Sequence, residues 1–432
     1  MRKLNHFSKF DTSLFAQAAE SYGTPLYMYD EAVILDRCKL CTTMPNAFGL
    51  TVRYAMKANS NRTLLKIINK AGLHIDASSL NEAIRANLAG IPYDNIMLTT
   101  QEIHLGEAGD KLRELMIKGM KYNVCSLRQL HLIGDFASEN GINPGIRVHP
   151  GIGSGESSTR NTGDEFSCFG IHLSDVTAAN DYAKSKGIRF THVHEHIGSG
   201  ADSLIWQQCV DVIIGIVEEH FPHAQSVSFG GGLKEARMAD EKAADPHELG
   251  LHAKQRLEEF YSKTGRKLHT EIEPGTYVVA NSGYALTRVI DKKSTLSSNF
   301  VMTDGGIEIN SRPLVYGSRH PIYILSDDGK EVKSSEFNPL SQPFDAVIVG
   351  KLCETGDCQT LDVGGVIVTR AIAEPELGDF AVFGGVGAYS PTMSPGTYNS
   401  HTQVAEVLIR GNSELELIRK RQTLEQVMQN EL

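Results

Sequence analysis

Tyr54-Ala55-Met56-Lys57-Ala58 ends a short apolar run over residues 52–55, and Asn59-Ser60-Asn61 turns the chain behind it. The run reads as a β-strand with a lysine at its carboxyl end. Lysine is almost never buried without a reason. Two readings stand side by side. The side chain can snorkel off the strand end and keep its ammonium in water. Alternatively it is partly desolvated, loses basicity and becomes a nucleophile able to form a Schiff base. The rest of the chain favours the second.

Outward from this stretch, short β-rich runs alternate with amphipathic segments. Strands are expected at 52–55, 73–76, 95–98, 122–125, 145–148, 190–194, 226–229 and 269–273, with helices such as 107–118, 127–140, 203–220 and 247–264 between them. Gly72, Gly90, Gly119, Gly141, Gly187 and Gly265 stand where helices should stop. Ser79-x-x-Glu82 reads as a capping box. Strands alternating with helices predict an α/β fold, a closed (β/α)8 TIM-like barrel. Beyond about residue 285 the pattern changes to runs at 300–302, 322–325, 346–349, 366–370 and 380–383 with few helices between them. The expected domains are therefore a barrel over 29–284 and a β-rich domain built from 1–28 and 285–432. A final charged stretch, 415–427, reads as a solvated helix.

Composition bounds the function. The chain has 432 residues, 41% hydrophobic and 22% charged, as in ordinary globular proteins. Its longest apolar runs fall far short of a membrane span, and Met1-Arg2-Lys3-Leu4-Asn5-His6 leads into no apolar signal segment. A net charge of −10 offers nothing to nucleic acid or an anionic membrane. Seven scattered cysteines suit a reducing, cytoplasmic setting. Cys38-x-x-Cys41 has no second pair nearby, and structural zinc needs four ligands, so no metal is expected.

Barrel enzymes carry their chemistry at the carboxyl ends of the strands. Here the first end delivers Lys57 and the sixth delivers His194-Glu195-His196-Ile197-Gly198-Ser199. The seventh delivers Gly230-Gly231-Gly232 and the eighth Glu273-Pro274-Gly275. Alone, three glycines are a plain loop. After a seventh barrel strand they let backbone N–H groups approach a phosphate.

These motifs occur in order with Cys353-Glu354-Thr355-Gly356-Asp357 and Gly387-Ala388-Tyr389. Together they resemble the fold-type III pyridoxal-phosphate decarboxylases, most closely the diaminopimelate decarboxylase branch, from about Pro25 to about Leu408. The resemblance implies pyridoxal 5′-phosphate as cofactor, held covalently by Lys57. Glu273 would keep the pyridine nitrogen protonated, making the ring an electron sink. His196 would stack on the ring, and Ser199, Gly231, Gly232, Gly275 and Tyr389 would hold the phosphate. Cys353 would donate the proton that replaces CO2, reaching in from the partner subunit of a homodimer whose active sites are shared.

On the substrate side the resemblance assigns Arg312, Tyr316, Glu354 and Tyr389 to a diamino acid, with meso-diaminopimelate giving L-lysine as first choice. A planar guanidinium suits a distal carboxylate. The family's Glu-Pro-Gly-Arg is Glu273-Pro274-Gly275-Thr276 here, and Arg319 is a candidate to replace the missing arginine. The Gly/Ser-rich segment 151–164 also departs from the pattern. D-Ornithine, D-lysine or a polyamine or siderophore precursor is the alternative substrate. An alanine-racemase-type enzyme is disfavoured by Glu273, because racemases of this fold are expected to place an arginine at the ring nitrogen. A catalytically dead cofactor-binding regulator is disfavoured because Lys57, Cys353 and the β-rich domain are all present.

Overall fold

A computed structural model describes residues 11–151, 167–198, 202–337 and 340–432. All eight expected barrel strands form: Leu50–Ala55, His74–Ala77, Ile96–Thr99, Lys121–Val124, Gly145–His149, His192–His194, Ser226–Ser228 and His269–Ile272. They pair in parallel in that order. The eighth returns to the first, with Thr270 opposite Leu50 and Ile272 opposite Val52, so the ring is closed. A two-residue strand, Ile171–His172, adds to the outside of the fifth.

The intervening helices are built as their residues require. In Arg62–Lys70, Asn61 accepts from Thr63 N at the amino end, and Leu64, Leu65, Ile67 and Ile68 bury one face. Pro246–Thr264 begins with Asp245 as cap and proline in its first turn. It ends where Gly265, at φ +70°, donates its N–H to Tyr261 O. All six glycines expected at helix ends have positive φ, from +65° to +99°. Ser79 Oγ accepts from Glu82 N at 3.1 Å, but the Glu82 carboxylate reaches one residue further back than a capping box requires, to Ser78 N at 2.7 Å.

Contacts divide the chain into two units. One is the barrel, Leu35–Glu235 with Ala243–Val278. The other joins the described residues up to Ile34 to Ala236–Lys242 and to everything from Val279 on. In this second unit Leu26–Asp30 lies between Gly283–Ser294, antiparallel, and Ala405–Ile409, parallel. A bulge between Val289 and Asp291 lets the long strand serve two neighbours, Phe380–Gly384 along its first half and Asn299–Thr303 along its second. Phe15, Leu26, Met28, Leu286, Phe380 and Val407 are among the residues of its core.

Two expectations for this unit need correction. The run at 366–370 is two short strands, Val366–Ile367 and Arg370–Ile372, in different sheets. The stretch at 415–427 is not one helix. Leu415–Arg419 is a strand paired with Ala405–Ile409, followed by the short helix Leu424–Met428. Leu415-Glu416-Leu417 alternates with period two, and a sheet edge waiting to be paired outweighs its helical propensity.

Candidate active site

In the barrel unit the assigned residues converge at the carboxyl ends of the strands. Lys57 lies in a one-turn 3-10 helix, Met56–Ala58, exposed between two buried neighbours. The turn is braced from both sides: Ala55 N donates to Pro274 O at 3.2 Å, and Tyr54 Oη donates to Asn59 O at 3.0 Å. The expected desolvation of Lys57 is thus not a property of the protein alone. Burial has gone to its flanks.

Glu273 is the fixed point. Its Oε2 is 2.8 Å from His194 Nε2 and its Oε1 accepts from Ser228 Oγ at 2.9 Å, while its N–H donates to Gly230 O at 2.7 Å. Burial disfavours its charge, but His194, His196 and Ser228 outweigh that and hold the carboxyl well below the ordinary range. Asp76, at the end of the second strand, is the opposite case. Burial and the charge of Glu273 push it well up, Lys57 works the other way, and its Oδ1 has no hydrogen-bond partner among the described residues.

His196 Nδ1 accepts the Gly231 N–H at 3.0 Å, which places the proton of a neutral ring on Nε2. Burial, with Lys57 and Arg147 nearby, keeps this imidazole neutral. The glycine loop has no room for side chains. A Cβ on Gly230 would stand 2.4 Å from Glu195 O, and one on Gly231 would stand 2.7 Å from Glu273 O. Gly232 has φ +87°, and Trp206 Nε1 donates to Gly231 O at 3.2 Å. Gly275 packs against Ala55 and Ala58. Ser199, and residues 152–166 of the glycine- and serine-rich segment, lie outside the described residues.

The β-rich unit holds the other assigned residues. Cys353 and Glu354 are exposed. Their loop hangs on Asp357, whose carboxylate accepts from Ile307 N at 2.8 Å and Leu352 N at 2.7 Å. Asn399 accepts from Cys353 N at 2.9 Å, and Tyr398 Oη donates to Glu354 at 3.2 Å. Arg312 is buried, donates to Ser318 Oγ at 3.2 Å, and sets its guanidinium 5.6 Å from the Tyr316 ring centre and 5.9 Å from that of Tyr389. Tyr389 adopts φ +64°. Arg319 faces Asp240, with contacts of 2.9 and 2.8 Å to its two oxygens, and Glu241 at 3.9 Å. Thr276 opens the short helix Thr276–Val279 and is half-buried.

Asp76 and Ser228 escaped the sequence reading, and His194 passed as a neighbour of His196. Their signal was the alternation of barrel strands: every second residue faces inside. Among the described residues no group of three or more His, Cys, Asp or Glu could hold a metal, and no helix is long and apolar enough to cross a membrane.

Known proteins resemble the chain in sequence and in fold. Residues 35–280 match the family model described as "Pyridoxal-dependent decarboxylase, pyridoxal binding domain". The chain is 35% identical over 435 residues to a diaminopimelate decarboxylase of Escherichia coli K12, covering 98% of both chains. It is 33% identical to one of Streptomyces coelicolor, covering 98% of this chain and 92% of the other. A solved diaminopimelate decarboxylase structure superposes with a TM-score of 0.88 at 32% identity over 99% of each chain. With a carboxylate fixed beneath a lysine-bearing turn and these full-length likenesses, the chain belongs to the pyridoxal-dependent decarboxylase family.

Proposed function

We propose that the chain decarboxylates meso-diaminopimelate, releasing CO2 and L-lysine. The observation that carries the chemistry is Glu273, fixed by His194 and Ser228 and held ionised. A permanent carboxylate at the ring nitrogen favours the protonated pyridine that decarboxylation needs. The substrate follows from the likeness, end to end, to decarboxylases of that name.

The residues fit the cofactor. Lys57 offers an exposed amine, His196 a neutral ring, and Gly230 and Gly231 a loop packed too tightly against Glu195 and Glu273 for any side chain, which leaves bare backbone there. When bound, pyridoxal phosphate supplies the electron sink for the pair left as CO2 departs. Lys57 would hold it covalently, His196 would cover the ring face, and Ser199, Gly231, Gly232, Gly275 and Tyr389 would take the phosphate. Cys353 would supply the proton that replaces CO2 at the α-carbon. Arg312 and Tyr316 orient the far end of the substrate, and Glu354 pairs with its distal amine.

The active form is a homodimer in which the partner copy supplies Cys353. Supporting this, the exposed Cys353 loop adjoins a surface of exposed apolar residues: Leu314, Val315, Val363, Val366 and Ile367. A Cβ on Gly356 would touch Leu314 and one on Gly317 would touch Val363, so these segments lie together. An apolar patch of this kind marks an association surface. All seven cysteines are free thiols, in keeping with a cytoplasmic enzyme.

One observation favours a second substrate reading. Asp240 competes for Arg319, and Thr276 offers only a hydroxyl, so a distal carboxylate meets fewer cations than in the family pattern. D-Lysine or D-ornithine is then the alternative. CO2 release on a panel of meso-diaminopimelate, D-lysine, D-ornithine, L-lysine and L-ornithine decides. The highest kcat/KM should fall on meso-diaminopimelate, and a higher value for D-lysine or D-ornithine moves the assignment to the second reading.

A further inference from the structure

Beyond the strand Phe380–Gly384 the chain bends at Gly385, φ +68°, and runs through Gly387 to Tyr389. Backbone groups that leave a sheet must find new partners. The N–H groups of this bend find backbone: Val386 N donates to Gly283 O at 3.1 Å and Gly387 N to Ala280 O at 3.0 Å. The carbonyls of Gly384 and Gly385 find side chains instead. His320 Nδ1 donates to Gly384 O at 2.9 Å, and Arg237 Nε donates to Gly385 O at 2.9 Å. Both side chains are buried, and all these residues belong to the β-rich unit.

The two donors are themselves fixed. Asn281 Nδ2 donates to Ala236 O at 2.8 Å, and Arg237 N donates to the Glu241 carboxylate at 2.8 Å. The Arg237 stem lies so close to Gly385 that a Cβ there would stand 2.9 Å from its Cγ and Cδ. At His320 the bond places the ring proton on Nδ1. Burial, with Arg237 and Arg312 nearby, keeps that imidazole neutral.

What the bend delivers is strained. Tyr389 is a non-glycine residue in the left-handed region, at φ +64°. Such a backbone persists only where its surroundings over-determine it. On its carboxyl side Ser390 Oγ donates to the buried Asn310 Oδ1 at 2.9 Å. On its amino side the restraint is the pair of carbonyls gripped by His320 and Arg237.

We propose that Arg237 and His320 are positioning residues that hold Tyr389 where it receives the cofactor's phosphate. This rests on the reading of Tyr389 given above. Both act through the backbone ahead of Tyr389, so their loss should weaken the grip on the phosphate and spare the rest of the cofactor.

The test compares two compounds that differ only in the phosphate. The apoprotein is titrated with pyridoxal phosphate and with pyridoxal, followed by visible absorbance, and the ratio of affinities gives the phosphate preference. Gln carries an N–H at the place of Arg Nε, whereas Met carries a methyl there. Asn carries an N–H at the place of His Nδ1, and Gln at that of Nε2. R237Q and H320N should therefore keep the preference. R237M and H320Q should lower it by about tenfold, the scale of one lost hydrogen bond, with pyridoxal affinity unchanged. General packing damage would weaken both compounds alike. An unchanged preference in R237M, an equal loss for both compounds, or H320Q matching H320N overturns the proposal. Should R237M not fold, the His320 pair decides alone. Y389F is the reference. If it keeps the wild-type preference, the reading of Tyr389 fails and the proposal falls with it. If it loses the preference while R237M keeps it, only the proposal fails.

Discussion

The barrel unit and the β-rich unit present their site residues in opposite ways. In the barrel, Glu273, His194 and Ser228 are buried and bonded to one another before anything binds. In the β-rich unit, Cys353 and Glu354 stand exposed on a loop anchored at the buried Asp357. The difference teaches how the labour divides. Charge that must be present in the resting protein is fixed by strands, where alternation delivers side chains inward. On the proposed reading, Cys353 meets the substrate from a partner copy, and it sits on an exposed loop.

The comparison is broken most severely at Lys57. Lys57→Ala should lower turnover by at least ~10³-fold and abolish the borohydride-stable cofactor adduct seen by mass spectrometry. Persistence of that adduct with near-normal turnover would reassign the anchor. Cys353→Ala should lower kcat by roughly 10²-fold, the scale of one lost proton donor, with cofactor affinity unchanged. Mixing it with Lys57→Ala should restore part of the activity through hybrid dimers. No recovery despite proven subunit exchange would remove Cys353 from a shared site.

Charging the apolar rim sharpens the contrast further. Val366→Asp with Ile367→Asp should weaken self-association at least about tenfold by sedimentation, since each puts an ion into a surface that association must desolvate. Association unaffected by both would place the interface elsewhere.

The barrel interior also predicts an acid sensitivity. Burial pushes His192 down from 6.5 to about 4. Between these values the unfolded chain binds a proton that the folded one refuses, so stability falls as pH drops from 6.5 towards 4, by up to roughly 3 kcal/mol for this group. His192→Gln should flatten that part of the melting-temperature profile, whereas Cys353→Ala should not. An unchanged slope in His192→Gln would show that other groups govern it. The smallest effect is expected at Arg319. With Asp240 holding its guanidinium, Arg319→Ala should raise KM for meso-diaminopimelate less than about threefold, in the range of exposed ion pairs. A rise of tenfold or more would make it a substrate contact after all.

Much of this was legible in the chain itself. Each barrel strand is a short run with its own stop, so local alternation, glycine at helix ends and a cap such as Ser79 located all eight. Lys57, the glycine triplet and Glu273 could be found because chemistry at strand ends occupies fixed places in such a barrel. Those signals are local, and a sequence displays them directly.

What only the tertiary structure decided depends on partners far apart in the chain. Glu273 meets His194 across 79 residues, and Arg53 meets Glu271 across 218. No spacing rule links such positions, because their proximity exists only once the ring closes. The pairing of Arg319 with Asp240, 79 residues away, is equally invisible to a spacing rule. Leu415–Arg419 became a strand because Ala405–Ile409 offered it an edge, a choice made by backbone hydrogen bonding between strands and invisible to local propensity.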